Sequence, residues 1–251
     1  MDEQPGQTTH FGFREVPVGE KQKLVGEVFS SVAGKYDLMN DLMSLGVHRL
    51  WKRYLVGTSG VARGDRVLDL AGGTGDIAAL LHEHVGDTGE VVIGDINAAM
   101  LGVGRDRLTD RGLVRGLRWV QMDAQALPFP DASFELVTIA FGLRNVTDQD
   151  AALREMRRVL RPGGRALVLE FSQVKPEWFR PLYDFHSFQV LPRLGKLFAN
   201  DADSYQYLAE SIRKHPPQQQ LQAMMTEAGF VRCDHRNLNG GIVAIHSGYA
   251  D

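Results

Sequence analysis

One cysteine in 251 residues, Cys233, leaves no partner for an internal disulfide and no thiolate set for a zinc site. A reducing, cytosolic compartment is the natural reading. No run approaches the roughly 20 apolar residues of a membrane-spanning helix. Residues 1–13 are polar, carry Asp2 and Glu3, and have no apolar stretch of signal-peptide type. These absences leave open a peripheral contact at the inner face of the cytoplasmic membrane. An excess of positive charge is also missing. Lys and Arg number 28 against 31 Asp and Glu, so the net charge is −3. That leaves no global basic field for nucleic acid. Internal repeats and low-complexity segments are absent too. The length suits one large α/β domain or at most two small ones.

Against these absences stands a strongly patterned middle. Residues 66–70 read as a strand that runs straight into the glycine turn of residues 67–76 (VLDLAGGTGD). Strands follow at 90–95, 117–122, 134–140 and 165–171, and helices at 77–84, 98–111 and 148–160. Asn97 is a good N-cap, and Pro162-Gly163-Gly164 should stop the last of these helices. The alternation predicts a mostly parallel sheet with helices on both faces. Before it, residues 1–20 carry Pro5, Gly6, Pro17 and Gly19 and read as a flexible arm. Residues 21–60 read as a helical cap. After it, residues 173–203 break the pattern with Trp178, Phe179, Tyr183, Phe185 and Phe188. Helices at 205–215 and 218–228 and strands at 231–237 and 241–246 close the chain, the strands meeting across Asn239-Gly240. The whole divides into an arm, 1–20, and one domain, 21–251, with 173–228 as a helical insertion over the site.

The glycine turn keeps an acid at its entrance, Asp69, and another at its exit, Asp76. A turn built for pyrophosphate offers amide N–H groups to an anion and gains nothing from flanking carboxylates. Acids suit a cationic ligand, and S-adenosylmethionine carries a sulfonium and an ammonium group and no phosphate. Gly72, Gly73, Thr74 and Gly75 form the turn. Asp95 ends the second strand at a spacing that suits acceptance from both ribose hydroxyls. Asp123 follows the third strand and is placed to accept from an adenine amino group, with the Ala124 amide facing a ring nitrogen. A nicotinamide-dependent oxidoreductase also needs a turn and an acid near position 95. It does not need Asp69 or Asp123, and it prefers Gly-x-Gly-x-x-Gly.

The segments 28–53 (VFSSVAGKYDLMNDLMSLGVHRLWKR), 67–76, 126–131 (ALPFPD), 141–148 (FGLRNVTD), 159–171 (VLRPGGRALVLEF) and 208–215 (LAESIRKH) together resemble the UbiE family. These are the ubiquinone/menaquinone biosynthesis C-methyltransferases. The resemblance covers nearly the whole chain, and FGLRN and YDLMND are its most specific parts. It implies a Rossmann-like class I methyltransferase sheet of seven strands, the last antiparallel. It implies methyl transfer from S-adenosylmethionine to a ring carbon of a prenylated benzoquinol or of demethylmenaquinol. By position, Thr74, Asp95, Asp123 and Ala124 take the family's cofactor places. Ala140 stands where relatives often carry Ser, and Asp123 where they often carry Asn. A homodimer or a quinone-biosynthesis complex is left open as the assembly, as is a non-catalytic S-adenosylmethionine-binding subunit.

A ring carbon is a weak nucleophile unless the adjacent hydroxyl ionises, and a phenol has a pKa of about 10. Placing Arg144 near the developing phenolate would stabilise it. Asn145 could hydrogen-bond a ring oxygen, and Tyr36 lies on the helical segment expected to cover the site. The expected quinol pocket is therefore Arg144, Asn145 and Tyr36. Each has a plainer reading: Arg144 could pair with Asp148, and Tyr36 could be core. Asp69 is placed to meet the methionine ammonium or to order a turn amide. His186 is a candidate base, though a lone His among aromatics is more often packed. His82 and His84 sit at i and i+2 and face different sides of a helix, which argues against a metal. Aromatic residues 178–198 beside Arg180, Arg193 and Lys196 read either as core or as a wall for the prenyl tail at a bilayer surface.

Overall fold

Val67 and Leu68 point to opposite faces of one strand, and both faces are covered. Leu68 and Leu70 join one apolar cluster, and Val67 joins another with Val91 and Ile93. That is why Val67, Leu68 and Leu70 are all apolar although they face opposite sides: a strand buried on both sides does not alternate. The computed structural model describes residues 8–32, 40, 41, 44, 46–178, 181, 193 and 202–251. Its central strands are β3 (Arg66–Leu70), β4 (Glu90–Asp95), β5 (Leu117–Gln121), β6 (Phe134–Ala140), β7 (Leu160–Phe171), β8 (Val231–Leu238) and β9 (Val243–Tyr249). They form one sheet in the order β5-β4-β3-β6-β7-β9-β8. β3 to β7 run parallel, and β9 runs antiparallel to both β7 and β8. The seven-stranded sheet with its last strand reversed is the one the resemblance implied.

Helices α2 (His48–Gly57) and α3 (Asp76–Val85) cover one face through Leu55, Val56, Ile77 and Leu81. Helices α5 (Gln149–Val159) and α7 (Gln218–Glu227) cover the other through Leu153, Met156, Leu221 and Met225. In α5 the buried positions are Ala152, Leu153, Met156 and Val159, the stripe that 3.6-residue periodicity puts on one side. Asp148 caps this helix by accepting from the Ala151 amide at 2.9 Å. Helix α4 (Ala98–Asp110) starts as expected at Asn97, whose side chain accepts from the Ala99 and Met100 amides.

Two expectations change. Pro162-Gly163-Gly164 ends α5 but does not separate it from the next strand. Phe134 pairs with Leu160 and Leu136 with Arg165, so residues 161–164 bulge out of a strand that has already begun. The arm expected over residues 1–20 contains a hairpin: β1 (Thr8–Phe11) pairs antiparallel with β2 (Arg14–Pro17), and α1 (Val18–Val32) follows directly. Gly12, at φ +59, makes the tight turn. The Phe11 ring stacks on Tyr207 of α6 (Ala202–Lys214) with centroids 4.2 Å apart, and the Phe13 amide donates to Glu210 at 3.0 Å. Of the expected breakers, Pro17 ends β2 and Gly19 lies in the first turn of α1. Of the expected helical insertion, α6 and α7 are described, and most of 178–198 lies outside the described residues.

Phe11→Ala should therefore destabilise the protein by about 3 kcal/mol in urea denaturation, the scale for emptying a packed aromatic site. A loose arm would give less than about 0.5 kcal/mol.

Candidate active site

β3 and β6 are neighbours whose chains leave in opposite directions, β3 toward β4 and β6 toward β7. The crevice between their carboxyl ends is the place where an open α/β sheet binds ligands. Both strands end on a non-glycine residue in the left-handed region, Ala71 at φ +49 and Phe141 at φ +57. The residues that follow are glycines for a steric reason. A Cβ on Gly72 would run into Ile93, and one on Gly142 into Ala71.

The sequence-predicted acids converge here in different states. Asp95 accepts from the Gly73 amide at 3.0 Å through Oδ2 and from the Asn97 amide at 2.9 Å through Oδ1. Burial pushes its pKa up, against the pull of these amides. With the Ile96 amide as a third donor, it holds the glycine turn and the entry to α4 together, and a carboxylate of about four acceptor sites keeps capacity for a ligand. Asp69 is buried, takes a 2.7 Å hydrogen bond from the Thr138 hydroxyl on Oδ1, and leaves Oδ2 without a partner. Burial pushes its pKa up to about 7, against the Thr138 hydroxyl and the charge of Lys52. The Gly72 amide donates to the Gly94 carbonyl and the Gly73 amide to Asp95. Asp69 orders neither of them, so its open oxygen is the part available to a cation.

Asp76, expected with Asp69 to favour a cationic ligand, does not face one. It is already committed, to Lys52 at 2.6 Å and to Arg107 at 2.5 Å. Burial pulls its pKa upward, and the two cations outweigh that and hold the carboxyl below the usual range. It offers nothing to a ligand. Neither cation was anticipated, because 24 and 31 residues separate them from Asp76.

A cleft is lined by Gly73, Asp95, Met100, Asp123, Ala124 and Asn145. Helix α1 walls it with Val25 and Phe29, and the Asn97 amide donates to the Gly26 carbonyl at 3.1 Å. Asp123 lies where expected, and both its oxygens accept from the Gln125 side chain. Beside the cleft, a smaller pocket holds Asp69, Gly72, Thr74 and Ala140. Gly73, Ala71 and Phe141 line both. The donor set fits S-adenosylmethionine: an orphaned buried carboxylate oxygen, a backbone turn cleared of side chains, and acceptors at two further strand ends. A pyrophosphate would face buried carboxylates there.

Arg144, expected to face a developing phenolate or to pair with Asp148, is paired with a different carboxylate. Its side chain is 3% exposed and pairs at 2.8 Å with Glu170, itself 1% exposed. The same Nη1 donates to the Phe141 carbonyl at 2.5 Å. Asp148, the partner considered from sequence, caps α5 instead. Burial pushes the Glu170 pKa up, against Arg144 and the Phe171 amide. Asn145 accepts through Oδ1 from the Tyr207 hydroxyl at 2.9 Å. Tyr36 and His186 lie outside the described residues. Sequence reasoning missed Glu170 and Tyr207. The signal for Glu170 was a lone carboxylate in an otherwise apolar strand, ALVLEF, where an unpaired charge is rarely tolerated.

A seven-stranded sheet of this order with acids around a glycine turn at its switch point defines a class I S-adenosylmethionine-dependent methyltransferase. Solved structures share that fold at low identity. A SAM-dependent methyltransferase from Aquifex aeolicus matches at TM-score 0.59 and 17% identity, over 85% of this chain and 96% of that one. The [4+2]-cyclase SpnF matches at TM-score 0.61 and 16% identity, over 90% and 94%. The ubiE/COQ5 methyltransferase family model matches residues 17–250, and the chain belongs to that family. The ubiquinone/menaquinone biosynthesis C-methyltransferase UbiE of Xanthomonas oryzae pv. oryzae is 75% identical over 242 residues, 96% of each chain. The protein of that name from Xylella fastidiosa (strain M23) is 72% identical over the same share.

A buried carboxylate with a raised pKa costs stability when it ionises. Asp69 favours the fold below its unfolded pKa of about 4, and that contribution is lost as pH rises toward about 7. Asp69→Asn should therefore raise the melting temperature at pH 8 by an amount that vanishes near pH 4, with an upper limit of about 4 kcal/mol. The same variant should bind S-adenosylmethionine about 10- to 100-fold more weakly in equilibrium dialysis, the scale of one charged hydrogen bond.

Proposed function

We propose that this chain transfers the methyl group of S-adenosylmethionine to a ring carbon of a prenylated quinol. The acceptor is demethylmenaquinol, 2-methoxy-6-polyprenyl-1,4-benzoquinol, or each in turn, in menaquinone and ubiquinone biosynthesis. The observation that carries the reading is identity of 71–75% over 96% of relatives bearing that name. The oxidoreductase and the non-catalytic subunit have no comparable support.

S-adenosylmethionine, when bound, supplies an electrophilic methyl group next to a cationic sulfur. Asp95 and Asp123 would hold its ribose and adenine, with the Ala124 amide toward the ring. The Oδ2 of Asp69 would take the ammonium, and Thr74 and Gly72 would shape the turn around it. Arg144 and Asn145 would hold the ring oxygens and so orient the nucleophilic carbon toward the methyl donor. Glu170 changes the role first given to Arg144. A guanidinium already neutralised by a buried carboxylate is a fixed donor and not a loose cation. Its orientation is set by Glu170 and the Phe141 carbonyl. Tyr207 fixes the Asn145 amide in the same way, by occupying its oxygen.

Arg144 lines a groove of about 1210 Å³ beside the cleft, and the two share Asp123, Gln125, Val146 and Thr147. The quinol head in this groove abuts the cofactor cleft. Among the described residues no helix is long and apolar enough to cross a membrane. A polyprenyl tail is membrane-resident, so the enzyme takes its substrate from the bilayer surface. Exposed Trp178, at the start of the aromatic segment, belongs to that contact.

A mass-spectrometric methylation assay with both demethylated quinols tests the activity; turnover of neither would sink it. Arg144→Leu should abolish turnover and also cost about 3–5 kcal/mol, because Glu170 is left buried and unpaired. Arg144→Leu with Glu170→Met should recover most of that stability, bind S-adenosylmethionine normally, and stay inactive. Recovery of turnover in the double variant would remove Arg144 from the mechanism.

A further inference from the structure

A developing phenolate needs a positive charge beside it, and the charge of Arg144 is already cancelled by Glu170. The other charged and titratable groups around the groove are committed, neutral or remote. Asp123 is held by Gln125, and Asp148 caps α5. The Tyr207 hydroxyl donates to Asn145. Burial and the neighbouring Arg144 push the pKa of His215 down to about 3, so it carries no charge at neutral pH. His10, Asp150 and Lys214 are exposed at the rim, where water and salt screen them.

Lys21 differs. It sits close behind the N-terminus of α1, lines the groove, and is 6% exposed. Its amine is located by a 3.0 Å hydrogen bond to the Val146 carbonyl. Val146 directly follows Arg144 and Asn145 and lines both the groove and the cofactor cleft. The amine therefore stands at the seam between the two cavities. An ammonium has three N–H donors, and this one spends a single donor. Among the described residues no carboxylate pairs with it. Burial disfavours its charge, and the dipole of α1 is positive at that end. A buried cation kept without a counter-ion against both effects needs a reason, and an incoming anion supplies one.

We propose that Lys21 is a catalytic residue whose ammonium binds the ionised ring oxygen of the methyl acceptor. The inference rests on the methyltransferase reading above. The acceptor hydroxyl gives its proton to water, and Lys21 matches the negative charge left on the oxygen. The ring carbon then forms a bond to the methyl carbon, and the carbon–sulfur bond breaks with its pair going to sulfur. The charges of quinolate and sulfonium cancel, which leaves a neutral dienone whose attacked carbon carries both hydrogen and methyl. The C–H bond breaks, its proton passes to water, and its pair restores the aromatic ring with the charge back on the oxygen beside Lys21. One fixed cation thus serves the oxygen before and after transfer, and Arg144 orients the ring without adding net charge.

The pH dependence of kcat, read at saturating quinol and S-adenosylmethionine, separates this role from that of a tether between α1 and the 144–147 loop. Lys21→Gln and Lys21→Met both remove the charge, and Gln keeps a donor for the Val146 carbonyl. Each should lose about 10²- to 10³-fold in kcat at pH 7, the scale of one lost oxyanion donor. Each should regain about tenfold per pH unit up to pH 9, because the hydroxyl, of pKa about 10, must now ionise unaided. Burial lowers the pKa of Lys21, so its charge is lost as pH rises, and wild type and variants should converge in the alkaline range. In the wild type, kcat should begin to fall only about two or more pH units below the free hydroxyl pKa. A wild-type kcat that already falls from about pH 10 downward overturns the assignment. So does a loss in the variants that is equal at pH 7 and pH 9, or a folded variant with wild-type kcat at pH 7. Wild-type enzyme that methylates neither quinol would instead overturn the function proposed above, so the two failures are distinct.

Discussion

The site depends on one steric constraint: β3 and β6 lie side by side and must part at their carboxyl ends without filling the space between them. Ala71 and Phe141 both turn through the left-handed region to do this. Such positions cost about 1–3 kcal/mol each and persist only where the surroundings enforce them. Around Phe141 the enforcement is visible. Its amide donates to the Leu169 carbonyl, its carbonyl accepts from Arg144, and its ring packs against Phe171 at 4.8 Å and Trp51 at 6.2 Å. Gly72 and Gly142 then keep the crevice open, because a methyl group on either would close it onto Ile93 or Ala71.

Charge around the crevice is divided into spent and unspent groups, and the division decides what can bind. Asp76 is consumed by Lys52 and Arg107, and Glu170 by Arg144. Among the described residues, Asp69 alone of the buried acids keeps an oxygen without a partner. A buried carboxylate in that condition is unfavourable until a cation arrives, so the energy that burial costs the fold would be regained on binding a positive group. On the proposed function, the preference for a sulfonium-bearing nucleotide would rest on Asp69, where the sequence pattern offered Asp76 as well. The second acid serves the fold by tying α2 and α4 to the first turn of α3.

The sheet was legible because strand burial writes itself as continuous apolar runs, and β3, β4 and β6 fall at the boundaries read from those runs. The glycine turn, Asp95 and Asp123 were legible because position at a strand end is a sequence property. What escaped were pairings across long separations. Glu170 meets Arg144 over 26 residues, and Tyr207 meets Asn145 over 62. No local pattern encodes either contact. The hairpin escaped for a different reason: Pro5, Gly6, Pro17 and Gly19 read as breakers of a flexible arm, and only the pairing of residues 8–17 and the burial of Phe11 and Val16 show that segment to be packed.

The N-terminal segment ties the two functional halves together. On the proposed function, residues on β3, β4 and the loop after β5 would make the cofactor half, and the loop after β6, β7 and α6 the acceptor half. Helix α1 contacts the first through Asn97, which reaches both the Gly26 carbonyl and the Ser30 hydroxyl. It contacts the second through Lys21, whose amine donates to the Val146 carbonyl. The hairpin adds Phe11 on Tyr207, and Tyr207 holds Asn145. Asn97 also follows the Asp95 that fixes the glycine turn, so α1 is tied to that turn, while the hairpin before α1 braces Asn145 through Tyr207. A shift of α1 would loosen both at once, and the docked hairpin resists such a shift. On the proposed function, residues 8–17 would thereby help to align methyl donor and acceptor.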